Sequence, residues 1–86
     1  MILHVQVTSE HIKNGKKSTL ISCPIALAVK QLGYKEVFVT PFGMACIDPS
    51  TDSTLRVELP EVARKFIRSF DADQDVTPIE FYLQVP

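Results

Sequence analysis

The residues best suited to chemistry lie in one segment, Asn14-Gly15-Lys16-Lys17-Ser18-Thr19, followed closely by Ser22-Cys23-Pro24. Pro24 fits the first turn of a helix, where a missing N–H costs little, and Ser22 or Cys23 fits the cap before it. The first N–H groups of a helix lack intrahelical partners and together carry about half a positive charge. Two ammonium groups and two hydroxyls just upstream could close over an anion held at that end. The spacing therefore predicts a ligand site made of Lys16, Lys17, Ser18, Thr19, Ser22 and Cys23. Lys16 and Lys17 would supply charge, Ser18 and Thr19 hydroxyl donors, and the amides near Cys23 a phosphate seat. The plain alternative for the same residues is an exposed, charged connection before an ordinary capped helix. Gly15-Lys16-Lys17-Ser18 resembles the end of a phosphate loop. It lacks that motif's first glycine, and the helix does not start directly after Ser18, so an NTPase is not favoured.

Other groupings are weaker. Cys23 at a helix start is where a thiol pKa tends to fall. A nucleophile also needs a base, and the two histidines sit elsewhere, His4 on the outward side of a strand and His11 on a short helical turn. Asp71-x-Asp73-x-Asp75 resembles the opening of a calcium loop. The sixth position is Val76 where glycine is required, and the twelfth is Tyr82 where glutamate is required, so a solvated acidic loop is expected. The cysteines and histidines lack the close paired spacing of a zinc site. Arg64, Lys65 and Arg68 form a basic helix face, which allows an RNA surface as a third reading, although Glu61 lies one turn away. No metal, cofactor or catalytic set is expected.

The elements that would position these residues follow from periodicity. Leu3, Val5 and Val7 alternate with polar residues, giving a first strand. A short helical turn follows, capped by Thr8 or Ser9, with Asn14-Gly15 as a left-handed stop. Ile25, Ala28, Val29 and Leu32 share one face of the helix after Pro24, and Gly33 ends it. Strands are expected over residues 36–40 and 44–48, and again where Leu55, Val57 and Leu59 alternate. Pro60-Glu61 opens a last helix with Val62, Ala63, Phe66, Ile67 and Phe70 inward. Ile79, Phe81, Leu83 and Val85 mark a final strand. The order β-α-β-β-β-α-β predicts an α+β domain over residues 1–86. It would hold one mostly antiparallel sheet of about five strands with two helices on one face, the three middle strands forming a meander.

Composition sets the outer limits. The 86 residues are 45% hydrophobic and 22% charged, the balance of a soluble globular domain. The net charge of −1 is too small to hold nucleic acid or an anionic membrane by its overall field. It hides an asymmetry. Residues 1–40 carry five lysines against two glutamates, a net +3, and residues 41–86 carry four basic against eight acidic groups, a net −4. Two cysteines in different elements point to reduced thiols and a cytoplasmic protein. Met1-Ile2-Leu3-His4-Val5 lacks the pattern of a signal peptide, and the longest apolar run, residues 24–29, is far short of the ~20 residues that span a bilayer.

The strand, the Asn14-Gly15 turn and the Ser22-Cys23-Pro24-Ile25-Ala26-Leu27-Ala28 helix start together resemble a group of small bacteriophage proteins of unassigned function. Leu59-Pro60, Phe66-Ile67-x-x-Phe70-Asp71 and the terminal strand after Pro78 extend the resemblance over nearly the whole chain. It implies a phage protein that acts by binding in the host cytoplasm. A looser similarity of class links such proteins to phage anti-defence oligomers that sequester cyclic-nucleotide immune signals. Three functional expectations result. The leading one is a non-enzymatic homo-oligomer that captures an anionic small molecule, a linear or cyclic nucleotide, in a basic pocket. So few residues enclose a ligand-sized cavity poorly, hence the oligomer. The second is a protein-interaction module that inhibits a host protein through a sheet edge or an apolar patch that includes Phe38 or Phe42. RNA binding is the third.

Overall fold

A computed structural model describes residues 2–85 of the chain. It is α+β, with the order β1 (Ile2–Val7), α1 (Ser9–Asn14), α2 (Pro24–Gln31), β2 (Lys35–Val39), β3 (Gly43–Ile47), β4 (Thr54–Glu58), α3 (Glu61–Asp71) and β5 (Ile79–Gln84). The expected single five-stranded sheet is in fact two sheets. β1 and β5 form an antiparallel pair, and β2-β3-β4 form the expected meander. The helices number three rather than two, because the turn after β1 is a full short helix.

The two sheets are joined by side chains instead of a continuous ladder. α2 packs against both β1 and β2, and its Ile25, Ala26 and Val29 are completely buried between them. β4 and β5 approach each other without hydrogen bonding as neighbours. A two-stranded ribbon is marginal alone. Here Val5, Val7, Phe81 and Leu83 on its inner face enter the same core as Val37, Val39, Met44 and Cys46 of the meander. α3 packs on β5 and contributes Ala63, Phe66, Ile67 and Phe70, the two phenyl rings lying parallel with centroids 6.1 Å apart. Leu32 and Val62, expected inside, are half-exposed at the edges of their helical stripes.

Turn chemistry departs from expectation at one glycine. Gly15 is not left-handed (φ −73°). What it provides is room, since a Cβ there would stand 2.7 Å from both Cγ and Cδ of Pro24. Gly33, at φ +103°, is the left-handed stop after α2. In β2 Glu36 takes φ +48°, and the β2–β3 register shifts there, which kinks the start of the edge strand. Among the described residues no helix is long and apolar enough to cross a membrane.

Candidate functional site

Cys23 is the N-cap of α2 and Pro24 its first residue, as the sequence implied. The Cys23 Sγ accepts from the Ala26 N–H at 3.4 Å, so the cap's own side chain holds one of the free amides. Burial pushes the Cys23 thiol up from its ordinary pKa. Its bonds from the Ala26 and Ile25 amides pull the other way, and the Asp71 carboxylate raises it further. The lowering expected of a helix start is thus outweighed by desolvation. Cys46 is likewise raised, by burial and by Asp48. Both thiols are reduced and buried, and among the described residues neither hydrogen-bonds a histidine.

The segment before the helix folds on itself. The Lys16 N–H donates to the Ser22 carbonyl at 2.8 Å, and the Ser22 N–H donates to Thr19 Oγ1 at 3.0 Å. Ser18 sits at φ +56°, and its N–H donates to Asp71 Oδ1 at 2.9 Å. The Lys17 ammonium is paired with Asp73. The carboxylates that meet this segment are the chain's own, Asp71 and Asp73 at the C-terminal end of α3. Carboxylates are disfavoured at a helix C-terminus, and Lys17 with the Ser18 amide offsets that. Of the six residues proposed as a ligand site, only Lys16 leaves a charged group unpaired among the described residues. Asp71 and Asp73 were missed as partners of this loop. The opposite charges of the two halves of the chain were the available signal.

The two arginines of the basic face of α3 share one carboxylate. The Glu61 carboxylate takes Arg64 Nη2 at 3.0 Å on one oxygen and Arg68 Nη2 at 3.2 Å on the other. Lys65 makes no ion pair among the described residues.

A different surface is left open along β2. Thr40 Oγ1 accepts from the Phe42 N–H at 3.2 Å and the Gly43 N–H at 3.0 Å. These bonds fix the β2–β3 turn so that Phe42 is held outward, 78% exposed. Phe38 lies on the outer face of the meander, paired across to Ala45, which pairs in turn with Arg56. Small residues beside the ring leave a shallow cleft of about 290 Å³ lined by Phe38, Thr40, Gly43, Ala45 and Arg56. On the strand's free edge the Val39 N–H donates to the Leu20 carbonyl at 2.7 Å. This lays Leu20 and Ile21, each half-exposed, alongside β2. The Lys30 ammonium donates to the Ile21 carbonyl at 2.5 Å, and Lys35 begins the strand. The sequence pattern flagged Phe38 and Phe42 because neither fits an inward face. It gave no sign of Leu20 and Ile21, which look like core residues in isolation.

The two histidines line one cleft of about 280 Å³ with Gln6, Thr8 and Gln31. His4 stacks on Tyr82 with ring centroids 4.6 Å apart and meets Glu80 at 3.1 Å. His11 belongs to the cap of α1. Among the described residues no group of three or more His, Cys, Asp or Glu side chains could hold a metal ion. Comparison with known proteins gives no match: no protein-family model, no curated protein and no solved structure matches this chain.

Proposed function

We propose that this chain is a non-enzymatic protein-interaction module whose binding face runs along β2. The observation that carries the reading is the row of apolar side chains left outside the core there. Phe42 and Phe38 stand on the turn and the outer face, and Leu20 and Ile21 lie along the edge. Aromatic anchors beside a shallow cleft are the usual hot spots of a protein interface. Lys30, bonded to the Ile21 carbonyl, and Lys35, at the start of β2, lie beside this row. The partner that fits is a protein surface with an apolar depression and an acidic rim, recognised by charge complementarity as well as burial. A small bacteriophage protein of this kind would meet such a surface on a protein of its host.

The nucleotide-capture reading is not preferred, because Asp73 pairs with the Lys17 ammonium and Cys23 Sγ takes the Ala26 amide, two of the groups it called on. The homo-oligomer was expected in order to enclose that ligand, and the present reading does not require it. The test uses immobilised protein against an extract of the host. Phe38→Ala and Phe42→Ala are each expected to abolish capture of the partner, and Lys35→Glu to weaken it in a salt-dependent way. Tyr82→Ala, on the other sheet, should leave capture intact. Equal capture by all four variants overturns the reading, and so does saturable heat on titration with a nucleotide.

A further inference from the structure

The cap of α1 is built around a histidine in the position that a glutamate or glutamine fills in a capping box. Thr8 is the N-cap, and its Oγ1 accepts from the His11 N–H at 3.3 Å. In return the Thr8 N–H donates to His11 Nδ1 at 3.0 Å. A backbone N–H can only donate, so Nδ1 carries no proton here and the neutral ring has its hydrogen on Nε2. Nε2 is 2.5 Å from Gln31 Oε1 in the last turn of α2. The imidazole therefore ties the start of α1 to the end of α2 through Nε2–H, which both forms of the ring carry, whereas its Nδ1 accepts the Thr8 N–H only in the neutral form. Adding a proton places an N–H on Nδ1 directly against the Thr8 N–H. The Thr8 hydroxyl, 3.2 Å from Nδ1, can accept that new proton, but the Thr8 N–H then loses its acceptor.

We infer that His11 is a pH-sensitive clasp on the cap of α1: neutral, it closes the capping box, and protonated it opens the box while its Nε2–H stays on Gln31. This goes beyond the proposed interaction face and does not depend on it. The charged groups around the ring come from each neighbouring element. They are Glu10 and Lys13 on α1 and Lys30 on α2. From the ribbon, His4 faces the same cleft, and its own ring is paired with Glu80 of β5. α1 is six residues long with no fully buried residue, so the cap is a large share of what holds it. Opening the box loosens the turn that carries Ile12, which packs against the core.

The test is nuclear magnetic resonance on the intact chain between about pH 7.5 and about pH 5.5, either side of the ordinary histidine range. At the upper pH the nitrogen shifts of His11 should report the Nε2–H tautomer. On acidification the exchange protection of the Ile12 and Gly15 amides, which bond the Thr8 and His11 carbonyls, should fall roughly fivefold, the equivalent of one lost cap. His11→Glu and His11→Gln supply acceptors for the Thr8 N–H that do not titrate as imidazole does. Both should keep α1 protected at the lower pH. An Nδ1–H tautomer at the upper pH overturns the inference. So does an equal loss of protection in the wild type and in whichever of these variants folds.

Discussion

Neutralising Asp71 and Asp73 together, as Asp71→Asn with Asp73→Asn, should both weaken the fold slightly and free Lys17 and the Ser18 amide for an added anion. Two contacts change. Asp71 Oδ1 loses its charge as the acceptor for the Ser18 N–H at 2.9 Å. A bond to a charged acceptor is worth about 1.5–3 kcal/mol in a protected setting, and about 1 kcal/mol is reasonable at this exposed site. The Lys17–Asp73 pair has side chains 46% and 80% exposed, and such pairs contribute about 0–1 kcal/mol. Removing two negative charges from the C-terminal end of α3 returns roughly 0.5 kcal/mol through the helix dipole. The net expectation is a loss of about 1 kcal/mol, or about 4–8 °C in melting temperature for a chain of this size. Urea denaturation at neutral pH measures the loss. Repeating it with added sulfate measures the gained site. The wild type should be stabilised by sulfate no more than by chloride of equal ionic strength, and the double variant should gain specifically. A double variant as stable as the wild type and indifferent to sulfate would refute the reasoning that these carboxylates fill a working anion seat.

Three further outcomes follow from the packing. Gly15→Ala should cost about 1–3 kcal/mol by forcing Cβ into the Pro24 ring, seen as a lower urea midpoint with an unchanged slope. Ile25→Ala removes a completely buried side chain from the helix that joins the two sheets. It should cost about 2–5 kcal/mol and lower the melting temperature accordingly. The thiols titrate above their ordinary value in the folded chain. Their contribution to stability is therefore present below the unfolded value of about 8.5 and is lost as pH rises through the folded value. Stability should decline on the alkaline side, less steeply in a Cys23→Ala, Cys46→Ala variant. Thiol reagents at neutral pH should modify the native protein far more slowly than the protein in denaturant.

Much of the fold was legible because it is written in alternation and capping. Val5 with Val7, Phe81 with Leu83, and the Ala63-Phe66-Ile67-Phe70 stripe announce their faces directly. Cys23-Pro24 and Pro60-Glu61 announce helix starts. Alternation gives the face of a strand but not its neighbour, so nothing in β1 or β5 said that the pair would stand apart from the meander. Gly15 was read for backbone freedom when its role is clearance, a distinction that depends on Pro24 being near in space. The basic segment is legible as a run of Lys16 and Lys17 before a helix start. That negative charge would come to it from Asp71 and Asp73, more than fifty residues away, is a tertiary fact. His11 was invisible as a cap residue because the capping-box pattern is searched with glutamate or glutamine at that place.

The central claim is that the negative charge attracted by the Lys16–Cys23 segment is the chain's own. Its most direct test is an amide chemical-shift titration of the intact protein with cyclic and linear nucleotides and with inorganic phosphate. The account predicts that the Ser18 amide keeps the downfield position of a carboxylate-bonded N–H, and that residues 16–26 show no saturable shift. Saturable displacement of the Ser18, Cys23 and Ala26 amides by any of these anions would contradict it.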